Sequence, residues 1–154
     1  MTIRWHCLPF EALANLTLYD LLRLRSEVFV VEQNCPFQDI DGLDDRAYHL
    51  LGYTEAGELA AYARLFDAGI SYEQVAIGRV AVALAHRRHG LGRELMQQAV
   101  AQCEVLFGAQ PIKIGAQLYL ERFYQGFGFV QCGEGYLEDG IPHIPMLRAA
   151  SETQ

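Results

Sequence analysis

Residues 76–96, AIGRVAVALAHRRHGLGRELM, carry the sharpest change of pattern in the chain. The Val-rich run at 76–83 reads as a strand. It passes through a basic turn with two glycines into a segment where Leu91, Leu95, Met96, Ala99, Val100, Cys103 and Leu106 share one helical face. A strand that enters a helix through such a turn builds a place for an anion, because the first N–H groups of the helix are unpaired and its dipole is positive there. Gly90 and Gly92 keep side chains away from an approaching ligand, and Arg87, Arg88 and Arg93 add charge. The turn lacks the Gly-Lys-Ser/Thr ending of a Walker A loop. It also has Leu95 where a dinucleotide fingerprint needs its third glycine. By itself, Arg-x-x-Gly-x-Gly is equally an ordinary helix start with a solvated basic face.

Upstream, residues 2–8 alternate as an opening strand, and Leu18, Leu21, Leu22, Arg25, Val28 and Phe29 predict a helix over 18–30, with Thr17 and Asp20 as a capping box. Residues 47–54 and 59–66, joined by Glu-Ala-Gly-Glu, read as a hairpin. Downstream come a strand at 111–116, a short helix at 118–125 and a strand at 129–137. The Asp139-Gly140 turn then leads to a last strand at 143–147. The order β-α-β-β-β-α-β-α-β-β is a mixed α/β layer arrangement. No repeat or linker interrupts it, so residues 1–154 read as a single domain.

Twelve Lys and Arg against 19 Asp and Glu give a formal net charge of -7, which excludes a nucleic-acid binder relying on overall basicity. The N-terminus has no basic region followed by an apolar core and cleavage site, and apolar runs such as 80–85 fall far short of the roughly 20 residues of a membrane span. A cytoplasmic protein without a membrane partner is expected. Cys7, Cys35, Cys103 and Cys132 show no CxxC or metal-ligand spacing and read as reduced, partly buried thiols. The loop at 32–45 holds five carboxylates and no basic residue, which reads mainly as a solvated loop, with Glu32, Asp39 and Asp41 available to attract a cationic amine. Asp39-x-Asp41-Gly42 lacks the remaining ligands of a calcium loop, so no metal is expected.

Several separated motifs in register go beyond the glycine turn. Arg87-x-x-Gly90-x-Gly92 after a Val-rich strand resembles the acyl-CoA-binding motif of the GNAT superfamily of N-acetyltransferases. Gln117 and FYQGFGF at 123–129 resemble its second signature, a helix carrying Tyr124 four residues before Gly128-Phe129. VFVVEQNCPFQDIDGLD at 28–44, His49-Leu50, IGRVAV at 77–82 and EDGIPHIPM at 138–146 resemble the ElaA-type branch.

The resemblance implies an α/β (α+β) fold with a mixed, largely antiparallel central sheet flanked by helices on both faces. It implies acetyl transfer from acetyl-CoA to a primary amine of a small molecule or peptide, by direct attack in a ternary complex. It assigns the backbone of the turn at 87–92 (Arg87, Arg88, His89, Gly90, Leu91, Gly92), together with Arg93, to the pyrophosphate, and Val80, Ala81 and Val82 to pantetheine and the thioester. Gln117 stands where many relatives have Asn and is a further cofactor contact. Arg88 and His89 either touch phosphate or face solvent. Tyr124 becomes the general acid for the departing thiolate, although Phe123, Tyr124, Phe127 and Phe129 also read as an aromatic core; Tyr119 is its understudy or a CoA contact. The base is left among Glu32, His49 and His143, each with a bland alternative as a solvated or structural side chain. Arg64 and Arg79 are paired structural charges or substrate anchors. Apolar residues near the last strands leave room for a homodimer contact. The competing function is a non-catalytic acyl-CoA-binding or sensing module.

Overall fold

The hairpin expected from residues 47–66 forms as β2 (Tyr48–Thr54) and β3 (Leu59–Phe66), closed by a turn in which Gly57 sits at φ +84°, a conformation glycine adopts without steric cost. The computed structural model describes residues 2–151. β1 (Ile3–Pro9) pairs antiparallel with β2, and β4 (Val75–Val82) pairs antiparallel with β3. β5 (Ile112–Gln117) is parallel to β4, and β8 (Ile141–Arg148) is antiparallel to β5. The single strand expected over 129–137 is instead two, β6 (Phe129–Gln131) and β7 (Tyr136–Glu138), both paired with β8. Gly133 and Gly135 interrupt it, as glycines in a strand do. The sheet order is β1-β2-β3-β4-β5-β8-β6, with β7 also on β8.

Strand alternation sends successive side chains to opposite faces. Leu50, Ala61, Ala63, Leu65, Val75 and Ile77 bury against Leu91, Leu95, Met96, Ala99 and Cys103 of α2 (Leu91–Phe107). Leu51, Tyr62 and Ala81 pack on the other face against Leu21 and Leu24 of α1 (Asn15–Arg25). The segment expected as a helix at 118–125 is a 3-10 turn, Leu118–Leu120, followed by α3 (Glu121–Gln125), which joins the α2 side through Tyr124.

Two expectations around α1 change. The helix starts after Ala14, so Thr17 and Asp20 lie inside it and form no capping box. Its C-terminal end widens into a π-helical stretch, Ser26–Glu32, with Cys35 N–H donating to the Val30 carbonyl at 3.0 Å. The four cysteines are free thiols, and among the described residues no helix is long and apolar enough to cross a membrane.

The 32–45 loop is not a solvated acidic loop. Arg25, fully buried, donates to Asp39 at 2.9 Å and Asp44 at 2.7 Å; Arg64 donates to Asp41 at 2.8 and 2.9 Å and to Asp44 at 2.9 Å; Arg79 donates to Asp39 at 2.8 Å. Three guanidinium groups therefore neutralise three carboxylates, which corrects the idea that Asp39 and Asp41 attract an amine. Arg79 is also the irregular residue of β4. Tyr62 faces Ala81 while Arg64 faces Gly78, so β4 carries one residue more than β3 at this point, and Arg79 takes φ +50°. This bulge shifts the alternation: Val75 and Ile77 face α2 before it, Val80 and Val82 after it.

Removing Arg25 leaves Asp39 and Asp44 short of a buried partner, a defect that typically costs about 3–5 kcal/mol. Urea unfolding of Arg25→Ala therefore gives a midpoint far below that of the parent chain. Acid has a related effect. Burial pushes the Asp41 carboxyl up, but Arg64 and Arg79 outweigh it and hold the group at about 2; Asp44 is likewise held below the ordinary range by Arg25 and Arg64. With folded values depressed, the unfolded chain takes up protons first, so this stabilisation is complete above about pH 5 and fades toward about pH 2. Denaturant titrations across that window show falling stability; a flat profile contradicts the network's role.

Candidate active site

β4 and β5 are paired only at their start, Val75 with Ile112 and Ala76 with Lys113. Past these residues the strands part, and a cleft of about 710 Å³ opens, lined by Ile77, Val80, Ala81 and Val82 on one side and Ile114, Gly115 and Gln117 on the other. Ala83 N–H donates back to the Ala60 carbonyl of β3 at 2.8 Å, so the peptide groups of Val82, one residue away, turn toward the opened edge. There the Val82 carbonyl accepts Arg87 Nε at 3.0 Å.

The glycine turn closes one end of the cleft. Gly90 caps α2 at φ +71°, with no side chain satisfying the helix start, and the first bond of the helix is Glu94 N–H to the Gly90 carbonyl. Among the described residues, the N–H groups of residues 88–93 find no acceptor in the protein. They form a run of free donors at the positive end of a 17-residue helix. A Cβ built on Gly92 would meet only the Phe123 ring, at 3.8 Å, so the protein itself does not require glycine there. Donors of this kind suit a phosphate group.

Of the expected cofactor contacts, Val80, Ala81, Val82, Arg87, Arg88, Gly90, Leu91, Gly92, Arg93, Gln117 and Tyr119 all line the cleft. Tyr119 is a largely exposed rim residue. His89 is exposed and outside the lining, so only its backbone belongs to the turn. The Arg87 guanidinium is spoken for: it makes a paired contact with Glu32 at 2.6 and 2.7 Å across the mouth of the cleft.

Tyr124 reconciles its two readings. It is 7% exposed, packs edge-to-face on Phe123 and Phe129, and still lines the cleft. Burial pushes its phenol up to about 12, so the proton stays on at neutral pH.

The candidate bases separate. His49 is fully buried and outside the cleft lining. Its Nε2–H donates to the Asp44 carbonyl at 2.8 Å and its Nδ1 accepts from the Tyr62 hydroxyl at 2.6 Å; burial lowers its pKa, which keeps it neutral. The structure thus corrects its nomination: His49 is a core histidine with both nitrogens occupied. Glu32 lines the cleft, but the hydrogen bonds from Arg87 hold its carboxyl below the ordinary range, which makes it a poor proton acceptor. His143 lines the cleft and donates Nδ1–H to the Ile141 carbonyl at 2.7 Å. Arg64 and Arg79 are paired structural charges. No group of three or more His, Cys, Asp or Glu side chains among the described residues is placed to hold a metal.

Sequence reasoning did not nominate Val28, Phe29, Cys35, Phe37, Glu138 or Ile141, which also line the cleft. Glu138 and Ile141 belong to EDGIPHIPM at 138–146 and were within reach of that motif; Val28, Phe29, Cys35 and Phe37 belong to the motif at 28–44 and reach the cleft through the π-helical stretch and its loop, whose winding no local pattern announces.

The chain matches the family model described as an acetyltransferase (GNAT) domain over residues 23–149. It is 47% identical to Protein ElaA of Escherichia coli over 148 residues, 95% of this chain and 96% of that one. The crystal structure of E. coli ElaA superposes with a TM-score of 0.88 at 46% identity, covering 96% of this chain and 99% of that chain. An acyl-CoA N-acyltransferase from Pseudomonas aeruginosa gives a TM-score of 0.92 at 45% identity, covering 96% of this chain and all of that one. A Bacillus subtilis acetyltransferase crystallised with CoA shares the fold at a TM-score of 0.68 and 22% identity, covering 97% and 100%. With its parted strands and unpaired amides in place, the chain belongs to the GNAT family of acyl-CoA-dependent acyltransferases, in the ElaA-type branch.

Proposed function

We propose that the protein moves an acetyl group from acetyl-CoA to a primary amine of a small molecule or peptide, the amine attacking the thioester directly in a ternary complex. One observation carries this reading: a single cleft holds both the free amides of residues 88–93 and the buried, protonated Tyr124. The amides, with Arg88 and Arg93, take the pyrophosphate; since Glu32 already neutralises the Arg87 side chain, Arg87 contributes mainly through its position in the turn. A B. subtilis fold neighbour was crystallised in complex with CoA, which supports CoA as a ligand here. The opened edge of β4 at Val80, Ala81 and Val82 offers the pantetheine arm the hydrogen bonds that a neighbouring strand would otherwise make.

The amine nitrogen forms a bond to the thioester carbonyl carbon, and peptide N–H groups of the opened edge stabilise the charge that gathers on oxygen. As the C–S bond breaks, Tyr124 gives its proton to sulfur. No covalent enzyme intermediate is needed, so the cysteines have no part in the step.

Tyr124→Phe keeps the aromatic packing and removes the proton, and kcat for acetyl transfer falls by about 10²–10⁴ fold with CoA binding intact. An unchanged kcat rejects Tyr124 as the acid. Gly92→Asp separates folding from ligand binding. A carboxylate in the first turn favours the helix, and a Cβ there meets only the Phe123 ring, at 3.8 Å, so thermal stability holds or rises. The same charge repels pyrophosphate, and the Kd for CoA weakens at least about tenfold by calorimetry. Undiminished affinity places the pyrophosphate elsewhere.

A further inference from the structure

An alkylammonium with a pKa near 10 must lose a proton before it can attack, and the cleft has to supply the acceptor. We infer that His143 is the catalytic base and that Glu138 and Tyr136 are its positioning residues. The inference rests on the acetyl-transfer reading above and names the group that prepares the acceptor.

Elimination leads to it first. His49 is sealed in the core with both nitrogens bonded, and Glu32 is locked to Arg87. The geometry around His143 is what a base requires. The Ile141 carbonyl can only accept, so Nδ1 carries the proton and Nε2 presents its lone pair. Glu138 Oε2 lies 3.5 Å from Nε2, so a carboxylate faces the nitrogen that takes the proton. The ring is stacked on Tyr136, with centroids 5.7 Å apart and planes 21° apart. Tyr136 in turn is seated by Gly115: a Cβ there would stand 2.5 Å from the phenol oxygen. The ionisable groups around this end of the cleft are Glu138 and Tyr136 on β7, Asp139 in the turn with the Cys35 thiol on its carbonyl, the Tyr72 phenol over Gly115, and Arg79, paired with Asp39.

The faces of the sheet place acid and base apart. Ile144 and Met146 belong to the α2-side core, as does Tyr124, so His143 in the alternating position lies on the α1 side. The two groups reach the parted strands from opposite faces, with room for the thioester between them. Two protons leave the nitrogen during amide formation. One passes to His143 Nε2 and on to solvent; the other replaces the proton that Tyr124 gives to the CoA sulfur. The sum is ammonium plus acetyl-CoA giving N-acetyl amine, CoA thiol and one proton.

The test pairs two kinds of acceptor with acetyl-CoA and the 154-residue chain: a panel of alkylamines (polyamines, amino acids, lysine peptides, aminoglycosides), and methoxyamine, which is already neutral at neutral pH. In His143→Gln, kcat/KM for the alkylamine substrate falls by about 10²–10⁴ fold while the methoxyamine rate falls far less, with CoA binding as the control for folding. In Glu138→Gln, kcat/KM for the alkylamine falls while the methoxyamine rate changes far less. Tyr136→Ala slows the alkylamine reaction and Tyr136→Phe restores it. If the parent chain acetylates both classes and His143→Gln slows them equally or not at all, the base assignment is overturned and the transferase reading stands. If the parent chain binds CoA and acetylates no amine, the transferase reading itself falls, and the base with it.

Discussion

The Arg79–Asp39 ion pair fastens the one surplus residue of β4, and the cleft depends on that residue. A bulge adds local twist and shifts which side chains face the core. Here it carries Arg79 at φ +50°, a conformation that costs a non-glycine residue on the order of 1–3 kcal/mol unless its surroundings hold it. Asp39 supplies the hold through both its carboxylate and its carbonyl. Just before the bulge the pairing of β4 with β5 ends, and peptide groups that would have satisfied a neighbouring strand face an open space instead.

Asp39 is itself bound to Arg25 at the end of α1, and Asp44 and Asp41 connect Arg25 to Arg64 on β3 and to Arg79. One neutral network therefore fixes a helix end, a loop and the bulge relative to one another. The helix runs on past Arg25 through its π-helical stretch to Glu32, which grips Arg87 across the cleft. The charges left over at the two ends of the cleft have opposite sign. Arg88 and Arg93 join the free amides at the glycine-turn end, whereas Glu138 and Asp139 stand at the other. This arrangement suits an anionic cosubstrate and a cationic acceptor better than the overall charge of -7 suggests.

What could be read from the residues was local. The β2–β3 hairpin and α2 fall within a residue or two of their expected limits, because alternation, a Gly-containing turn and a one-sided apolar stripe are short-range signals. The glycine turn was legible as a strand-to-helix junction for the same reason. The bulge was not: nothing in Gly78-Arg79-Val80 announces that the arginine, rather than the glycine, takes the left-handed conformation. The acidic loop was misread because its partners lie 14 to 40 residues away, on α1, β3 and β4. His49 and His143 both lie in or beside strands, and only tertiary packing separates a sealed core imidazole from one on the cleft.

Amide-resolved NMR titration with CoA tests most directly whether CoA binds between the parted strands. The largest shift changes are expected on the amides of residues 88–93 and of Val80, Ala81 and Val82, with the β1–β2 edge unmoved. Binding in this cleft is contradicted if CoA leaves those amides unperturbed, or if the changes gather instead around the small apolar cavity lined by Phe10, Leu18 and Leu22.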